Sequence, residues 1–231
     1  MAATKPEYLK GTKAKATLGG VKIKGLNTLT IPQPVRDTFV IEEFEEIDFE
    51  ETSDLKWERG KMAGNYIKND ATGQAALRAK LFADEPLTDL RLYEDSTDFW
   101  APDVAAKSFS CFKLVGITPP EVQKNAVVPF SCDILVQGNL ARFGTHLTGS
   151  GIAFVAASGE TPDTITDTGS GFLTAGFKAG QTVIVEGSDS NDGQYTVAGV
   201  AAGVLTLSSV GDLVDETAGE SFTLHGGSMT V

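Results

Sequence analysis

The segment VKIKGLNTLTIP, residues 21 to 32, alternates apolar and polar positions at Val21, Ile23, Leu29 and Ile31 and stops at Pro32. Period two marks a half-buried strand, and Gly25 within it marks a kink or bulge. Three further segments, TDLRLYED (88 to 95), AKSFSCFKLVGI (106 to 117) and NAVVPFSCDILVQG (125 to 138), are rich in β-branched and aromatic residues. Turn chemistry such as Pro119-Pro120 separates them, so they predict antiparallel strands. If the last two close a symmetric hairpin, Cys111 faces Cys132. One stretch breaks the strand pattern: NDATGQAALRAKLFADEP (69 to 86) offers Thr72 or Asp70 as N-cap, a run of helix formers and a stop at Pro86. It predicts a helix over about residues 73 to 83.

From GTHLTGSG, residues 144 to 151, the texture turns to Gly, Ser and Thr, which reads as a linker or boundary near residue 150. Beyond it QTVIVEG (181 to 187), GQYTVAGVA (193 to 201), GVLTLSS (203 to 209) and ESFTLHG (220 to 226) predict a small all-β barrel or sandwich over 151 to 231. Between the first two, SDSNDG supplies Asn191, Asp192 and Gly193 for the positive φ of a hairpin turn. The closing GGSMTV reads either as a frayed tail or as a strand returning to this module. The fold class is mainly β with one flanking α-helix.

One stretch resists this reading. IEEFEEIDFEE, residues 41 to 51, sets seven carboxylates (Glu42, Glu43, Glu45, Glu46, Asp48, Glu50, Glu51) among Ile41, Phe44, Ile47 and Phe49. Ile41, Phe44 and Ile47 fit a helical stripe, whereas Phe39, Ile41, Ile47 and Phe49 fit period two interrupted by extra residues; a bulged strand is the preferred reading. Like charges so close together oppose the compact state, which raises the question of their purpose.

Charge elsewhere sharpens that question. The 231-residue chain carries a formal charge of −12 with a pI near 4.6, which argues against a phosphate-gripping nucleic-acid binder. Residues 151 to 231 hold only Lys178 against ten acids, while residues 1 to 24 hold six lysines (Lys5, Lys10, Lys13, Lys15, Lys22, Lys24) against Glu7. A basic arm and an acidic patch on one chain pair within a subunit or between copies, and head-to-tail contacts between copies build rings or filaments. A flexible, solvated terminus is the alternative. No apolar run approaches the roughly 18 residues of a membrane span, and MAATKPEYLK lacks a signal-peptide core, so synthesis and folding in the cytosol are expected. Two cysteines without metal-site spacing read as reduced, partly buried thiols.

Catalytic chemistry is thinly represented. His146 and His225 are the two imidazoles of the chain, each in a Gly-rich setting with no companion at ligand spacing, so neither a metal centre nor a Ser-His-Asp triad is expected on them. SDSNDG offers Asp189, Asn191 and Asp192 but fails the calcium-loop pattern, with Gly193 at loop position five and no Glu at position twelve. A carboxylate pair for glycoside hydrolysis can be drawn among the seven acids, but that spacing selects nothing. The acidic run therefore reads first as a functional electrostatic surface, next as a solvated face, and last as catalytic. No cofactor is expected.

The order of elements over about residues 10 to 140 is a basic extended arm, strands, an acidic stretch, one helix at TGQAALRAKLFA, LRLYED, the pair Phe99-Trp100, then SFSCFKLVGI and AVVPFSCDILVQG. This order resembles the major tail tube protein of long-tailed (siphophage) bacteriophages and, more distantly, the tube proteins of contractile tails and type VI secretion systems. Residues 166 to 209, with GFLTAGFKAGQTVIVEGSDSNDGQYTV, resemble a β module recurrent in phage virion proteins. The resemblance implies a non-enzymatic β-sandwich subunit over 1 to 150. Six copies would join their sheets into a ring, and rings would stack into a hollow tube that conducts DNA without gripping it. It further implies that the domain over 151 to 231 projects from the tube exterior. The implied partners are other copies of the chain together with tape measure, tail tip and tail terminator proteins. The implied location is the virion tail, assembled in the host cytoplasm without a membrane step. Glu42, Glu43, Glu45, Glu46, Asp48, Glu50 and Glu51 would then face the lumen or the ring-to-ring contact, where the lysine arm of the next ring neutralises them. Competing readings are a binder of host glycans or appendages, a capsid decoration protein, and a tail-associated glycan hydrolase.

Overall fold

The computed structural model of the chain describes residues 13–36, 38–41, 49–52, 56–118 and 126–228, with segments 38–41 and 49–52 described by backbone alone. The described residues are mainly β, with antiparallel ladders throughout and two helices. In chain order the elements begin with β1 (Lys15–Leu18), β2 (Val21–Lys22), β3 (Leu26–Thr30), β4 (Pro34–Val35), β5 (Thr38–Ile41), β6 (Phe49–Thr52), β7 (Lys56–Trp57) and β8 (Gly60–Asn65). Helix α1 (Gln74–Phe82) follows, then β9 (Leu90–Tyr93), β10 (Phe99–Pro102), β11 (Cys111–Ile117), β12 (Pro129–Gln137) and β13 (Leu140–Gly149). The chain ends through β14 (Ile152–Val155), β15 (Thr164–Asp167), α2 (Phe172–Ala175), β16 (Thr182–Glu186), β17 (Gly193–Ala201), β18 (Val204–Leu207) and β19 (Phe222–Ser228). None of the described helices is long and apolar enough to cross a membrane.

These elements form two compact units that interleave along the chain, one on residues 16–87 and 112–137, the other mainly on 88–111 and from 138 onward. In the first, four strands run in the order β11-β12-β8-β3. Along β12, Phe130, Cys132, Ile134 and Val136 are buried while Ser131, Asp133, Leu135 and Gln137 are more exposed, the alternation expected of a sheet with one face covered. Met62 lies opposite Cys132 and Lys61 opposite Asp133 in the β8 ladder, so the buried and wet faces continue across strands. The expected facing of Cys111 and Cys132 is not realised. The amide of Thr118 donates to the carbonyl of Ser131, which sets a register six residues from the one a symmetric hairpin would need, and both thiols are buried and outside any disulfide.

Helix α1 starts one residue later than predicted and is held by Asp70, three residues ahead of its N-cap, Gly73. The Asp70 carboxylate accepts the N–H groups of Gln74 and Lys24, each at 3.0 Å. The Gln74 side chain accepts from the Ile67 amide at 3.0 Å and donates to the carbonyls of Lys24 and Asn65, both at 2.8 Å. One buried polar pair thereby ties the helix start to the ends of two strands, meeting backbone groups that would otherwise be orphaned. Gly25 sits here at φ +80°, where an added Cβ would lie 2.3 Å from the Asn65 carbonyl oxygen. The kink predicted at Gly25 is thus a left-handed turn between β2 and β3 that glycine alone fits.

The second unit carries nine strands in the order β14-β15-β18-β17-β16-β19-β13-β10-β9. Its main core packs Phe154, Phe172, Phe177, Val183, Val197, Leu205, Phe222 and Leu224, and a smaller cluster packs Phe99, Ala101, Ala141, Phe143 and Ile184. Phe172, Phe177 and Phe222 are each at most 2% exposed. The segment read as a linker near residue 150 is instead the end of β13, which pairs with β19 from Arg142 to Gly149 through a bulge between Phe143 and Thr145. Its Gly and Thr content signalled a loop because a half-exposed strand beside a bulge needs no continuous apolar face. Positive φ in the β16–β17 connection falls at Gly187, at +85°, and not at Asn191 or Asp192. Of the closing GGSMTV, residues 226 to 228 belong to strand β19, and 229 to 231 lie outside the described residues.

Candidate functional site

Of the seven predicted acids, Glu42, Glu43, Glu45, Glu46 and Asp48 lie outside the described residues. Glu50 and Glu51 fall on β6, opposite Val40 and Phe39 of β5, so the run ends in a strand hairpin where a single bulged strand was expected. Lys5 and Lys10 also lie outside the described residues. Lys22 and Lys24 are exposed, Lys22 on the β1–β2 hairpin, and Lys13 is exposed just ahead of it. Lys15 stands with Nζ 4.3 Å from the centre of the Tyr93 ring, a cation–π contact.

The four-stranded sheet ends in β3 on one side and β11 on the other. β3 leaves Asn27, Thr28 and Thr30 exposed, and β11 carries on its outer side, among the described residues, the bridge from Leu87 to Phe112. Val115 on β11 is 43% exposed and Leu135 on β12 39%. A sheet edge carries unpaired N–H and C=O groups that another strand can take up. Beside α1 lies a hollow of about 250 Å³ lined by Tyr66, Ile67, Lys68, Arg78 and Phe82, with Phe82 itself 84% exposed.

A polar cluster that sequence reasoning missed lies in the second unit. His146 on β13 and His225 on β19 are directly opposed in the ladder, and their Nδ1 atoms are 2.8 Å apart. His146 Nε2 is 3.1 Å from Asp98 and His225 Nε2 is 3.0 Å from Glu186. Arg142 pairs with Glu94 at 2.8 Å and Asp98 at 2.9 Å, Arg91 pairs with Glu186, and Trp100 donates to Glu94 at 2.6 Å. Phe99 forms the floor, edge-on to His225 at 5.2 Å and with the Arg91 guanidinium 4.7 Å from its ring centre. The His225 hydrogen bond, with Arg91 beside it, outweighs burial and holds the Glu186 carboxyl down at about 2. The two histidines are 79 residues apart in sequence, and no local spacing relates them.

The loops of the 151–231 region use their carboxylates differently. Asp163 is fully buried and accepts the N–H groups of Ala157, Asp212 and Leu213 at 2.8 to 3.0 Å. Burial pushes its carboxyl up, but backbone N–H donors hold it below the usual carboxylate range. Asn191, read as a turn residue, is buried too: its amide spans the backbone N–H and C=O of Val214 and donates to Glu216 at 2.6 Å. Among the described residues, no group of three or more His, Cys, Asp or Glu side chains is placed to hold a metal.

No family model matches the chain, and no curated protein matches it significantly. Solved structures do share part of its fold. A chain from the virion of a native gene transfer agent particle is 14% identical with a TM-score of 0.43, the match covering 57% of this chain and 95% of that one. A chain from the sheath/tube terminator of an extracellular contractile injection system in its extended state is 11% identical with a TM-score of 0.42, over 60% and 99% of the two chains. The SPP1 Dit protein, described as a paradigm of the hub adsorption apparatus in phages infecting Gram-positive bacteria, is 8% identical with a TM-score of 0.36, over 93% and 98%.

Proposed function

We infer that the chain is a non-enzymatic structural subunit of a phage-type tail, in which copies join sheet edge to sheet edge into six-fold rings that stack into a hollow tube conducting DNA. The observation that supports this reading is the four-stranded sheet, which among the described residues ends in β3 on one side and in β11, bridged there at Phe112 by Leu87, on the other. Each edge in a ring would be satisfied by the next subunit, which removes the liability of an exposed strand and gives the assembly its hydrogen bonds. The resemblance in element order agrees with it, and the partly similar solved structures come from a gene transfer agent virion and a contractile injection system's sheath/tube terminator.

On this reading the acids of residues 42 to 51 face the lumen or the ring-to-ring contact. Carboxylates facing a passing polyanion leave its phosphates no cationic partner, so no strong contact has to be broken at each step. Lys5, Lys10, Lys13, Lys15, Lys22 and Lys24 are the candidates for pairing with them across rings. The region 151–231 projects from the tube exterior. Partners are other copies, with tape measure, tail tip and tail terminator proteins, in a virion tail assembled in the host cytoplasm.

Negative-stain electron microscopy of the purified protein across concentration and salt tests the reading. Hollow tubes or stacked six-fold rings are expected, with stacking weakened by salt because exposed charges are screened over about 10 Å at about 0.1 M. Closed trimers or hexamers that never stack would support capsid decoration instead. A monomer at every condition, even when seeded with a tail initiator complex, contradicts the reading.

A further inference from the structure

The cluster around His146 and His225 obeys a proton count that its geometry imposes. Asp98 is ion-paired with Arg142, and Glu186 with Arg91, so both carboxylates are acceptors only. Each imidazole Nε2 faces one of these carboxylates at 3.0 to 3.1 Å and must therefore carry a proton to make the contact favourable. The two Nδ1 atoms face each other at 2.8 Å, a distance that requires one proton between them. Two protonated Nδ1 atoms would set donor against donor, and two bare ones would set lone pair against lone pair. The bookkeeping closes with three N–H protons on four ring nitrogens.

Charge balance leads to the same count by a separate route. The groups facing the pair are Arg91 and Tyr93 on β9, Glu94 and Asp98 in the turn after it, Phe99 on β10, Arg142 on β13 and Glu186 on β16, with Lys15 over the outer Tyr93 ring. The ion-paired set holds the two arginines against the three carboxylates, which leaves one negative charge. A single proton shared by two imidazoles cancels it.

We propose that His146 and His225 form one singly charged dyad that shares a proton between their Nδ1 atoms and locks β13 to β19, so that gain or loss of one proton loosens this seam. The seam is where the ladder passes from β9, β10 and β13 to β19, β16 and the strands beyond, so its state decides how firmly the two halves of this sheet are joined. Removing the shared proton leaves two facing lone pairs and a net negative cluster. Adding a fourth proton forces two donors together. Both changes act on the same pair of strands.

The test is ¹⁵N NMR of the uniformly labelled full chain, in which two histidines give four ring nitrogens. At about pH 7.5 the proposal expects three protonated nitrogens and a scalar coupling between the two Nδ1 atoms across the hydrogen bond. Two protonated nitrogens and no coupling, the pattern of two independent neutral imidazoles, would overturn it. His225→Gln keeps a side chain able to donate to Glu186 but cannot share the proton, and His146 should then hold one N–H at the same pH. A His146 that keeps two N–H protons in this variant would also overturn the proposal. If the variant fails to fold, the wild-type count decides alone. Amide exchange at residues 145 to 148 should rise about tenfold when the shared proton is titrated away, and a seam whose exchange is unchanged contradicts the switch.

Discussion

The four-stranded sheet and the 151–231 region solve the same problem in opposite ways. The region from residue 151 buries a core of Phe154, Phe172, Phe177 and Phe222, and its Asp163 and Glu216 carboxylates accept the amides of its own loops. The four-stranded sheet covers one face, pins α1 with Asp70 and Gln74, and leaves β3 and β11 at its margins. A sheet edge offers unpaired backbone groups that a neighbouring strand can take up.

The contrast predicts where a substitution is felt. Asp163→Ala removes an acceptor from three buried backbone N–H groups, and loss of this kind is expected to cost about 3–5 kcal/mol. Urea unfolding should show the loss in the 151–231 region, and a shift below about 1 kcal/mol would mean water replaces the carboxylate. Gly25→Ala forces a Cβ toward the Asn65 carbonyl at positive φ, for a cost of about 2–3 kcal/mol in the unit that holds the open sheet. Val115→Lys, on the exposed side of an edge strand, should leave unfolding within about 0.5 kcal/mol of wild type while weakening assembly about tenfold, roughly 1.4 kcal/mol by sedimentation. Equal assembly by this variant would place the copy-to-copy contact elsewhere.

Acid should separate the two regions further, by a smaller margin. The Asp163 and Glu216 carboxyls are held below their ordinary range despite burial, and Glu186 is held at about 2 chiefly by His225. A carboxyl lowered in the folded state adds stability that is complete above its unfolded value of about 4 and is lost as pH falls through the folded value. The unit containing residues 151–228 should therefore lose stability from about pH 4 downward, and Asp163→Asn should flatten that slope. Thermal melts at stepped pH check it.

Much of this architecture was legible in the sequence because local chemistry wrote it. The helix before Pro86 and the strands of the final module follow from periodicity and turn residues close together in the chain, whereas the stretch 21 to 32, expected as one strand, splits at Gly25 into β2, paired with β1, and β3, paired with β8. What stayed hidden was set by long-range pairing. β13 was mistaken for a linker because its partner, β19, comes more than seventy residues later and its bulge hides the alternation. The register of β11 and β12 could not be read from their lengths, since residues 119 to 125 can be shared out in several ways. His146 and His225 looked isolated for the same reason, and Asn191 looked like a turn residue because nothing nearby announces Val214 as its partner. For the acidic run, the sequence shows the charge but not the direction in which it points.

Hydrogen exchange compared between dilute and assembled protein tests the central claim most directly. If copies join through the open sheet, amides of β3 (26 to 30) and β11 (111 to 117) gain protection on assembly, while those of β16 to β18 stay unchanged. Assembly that leaves both edges exchanging freely, or that protects the 151–228 strands instead, would contradict the account.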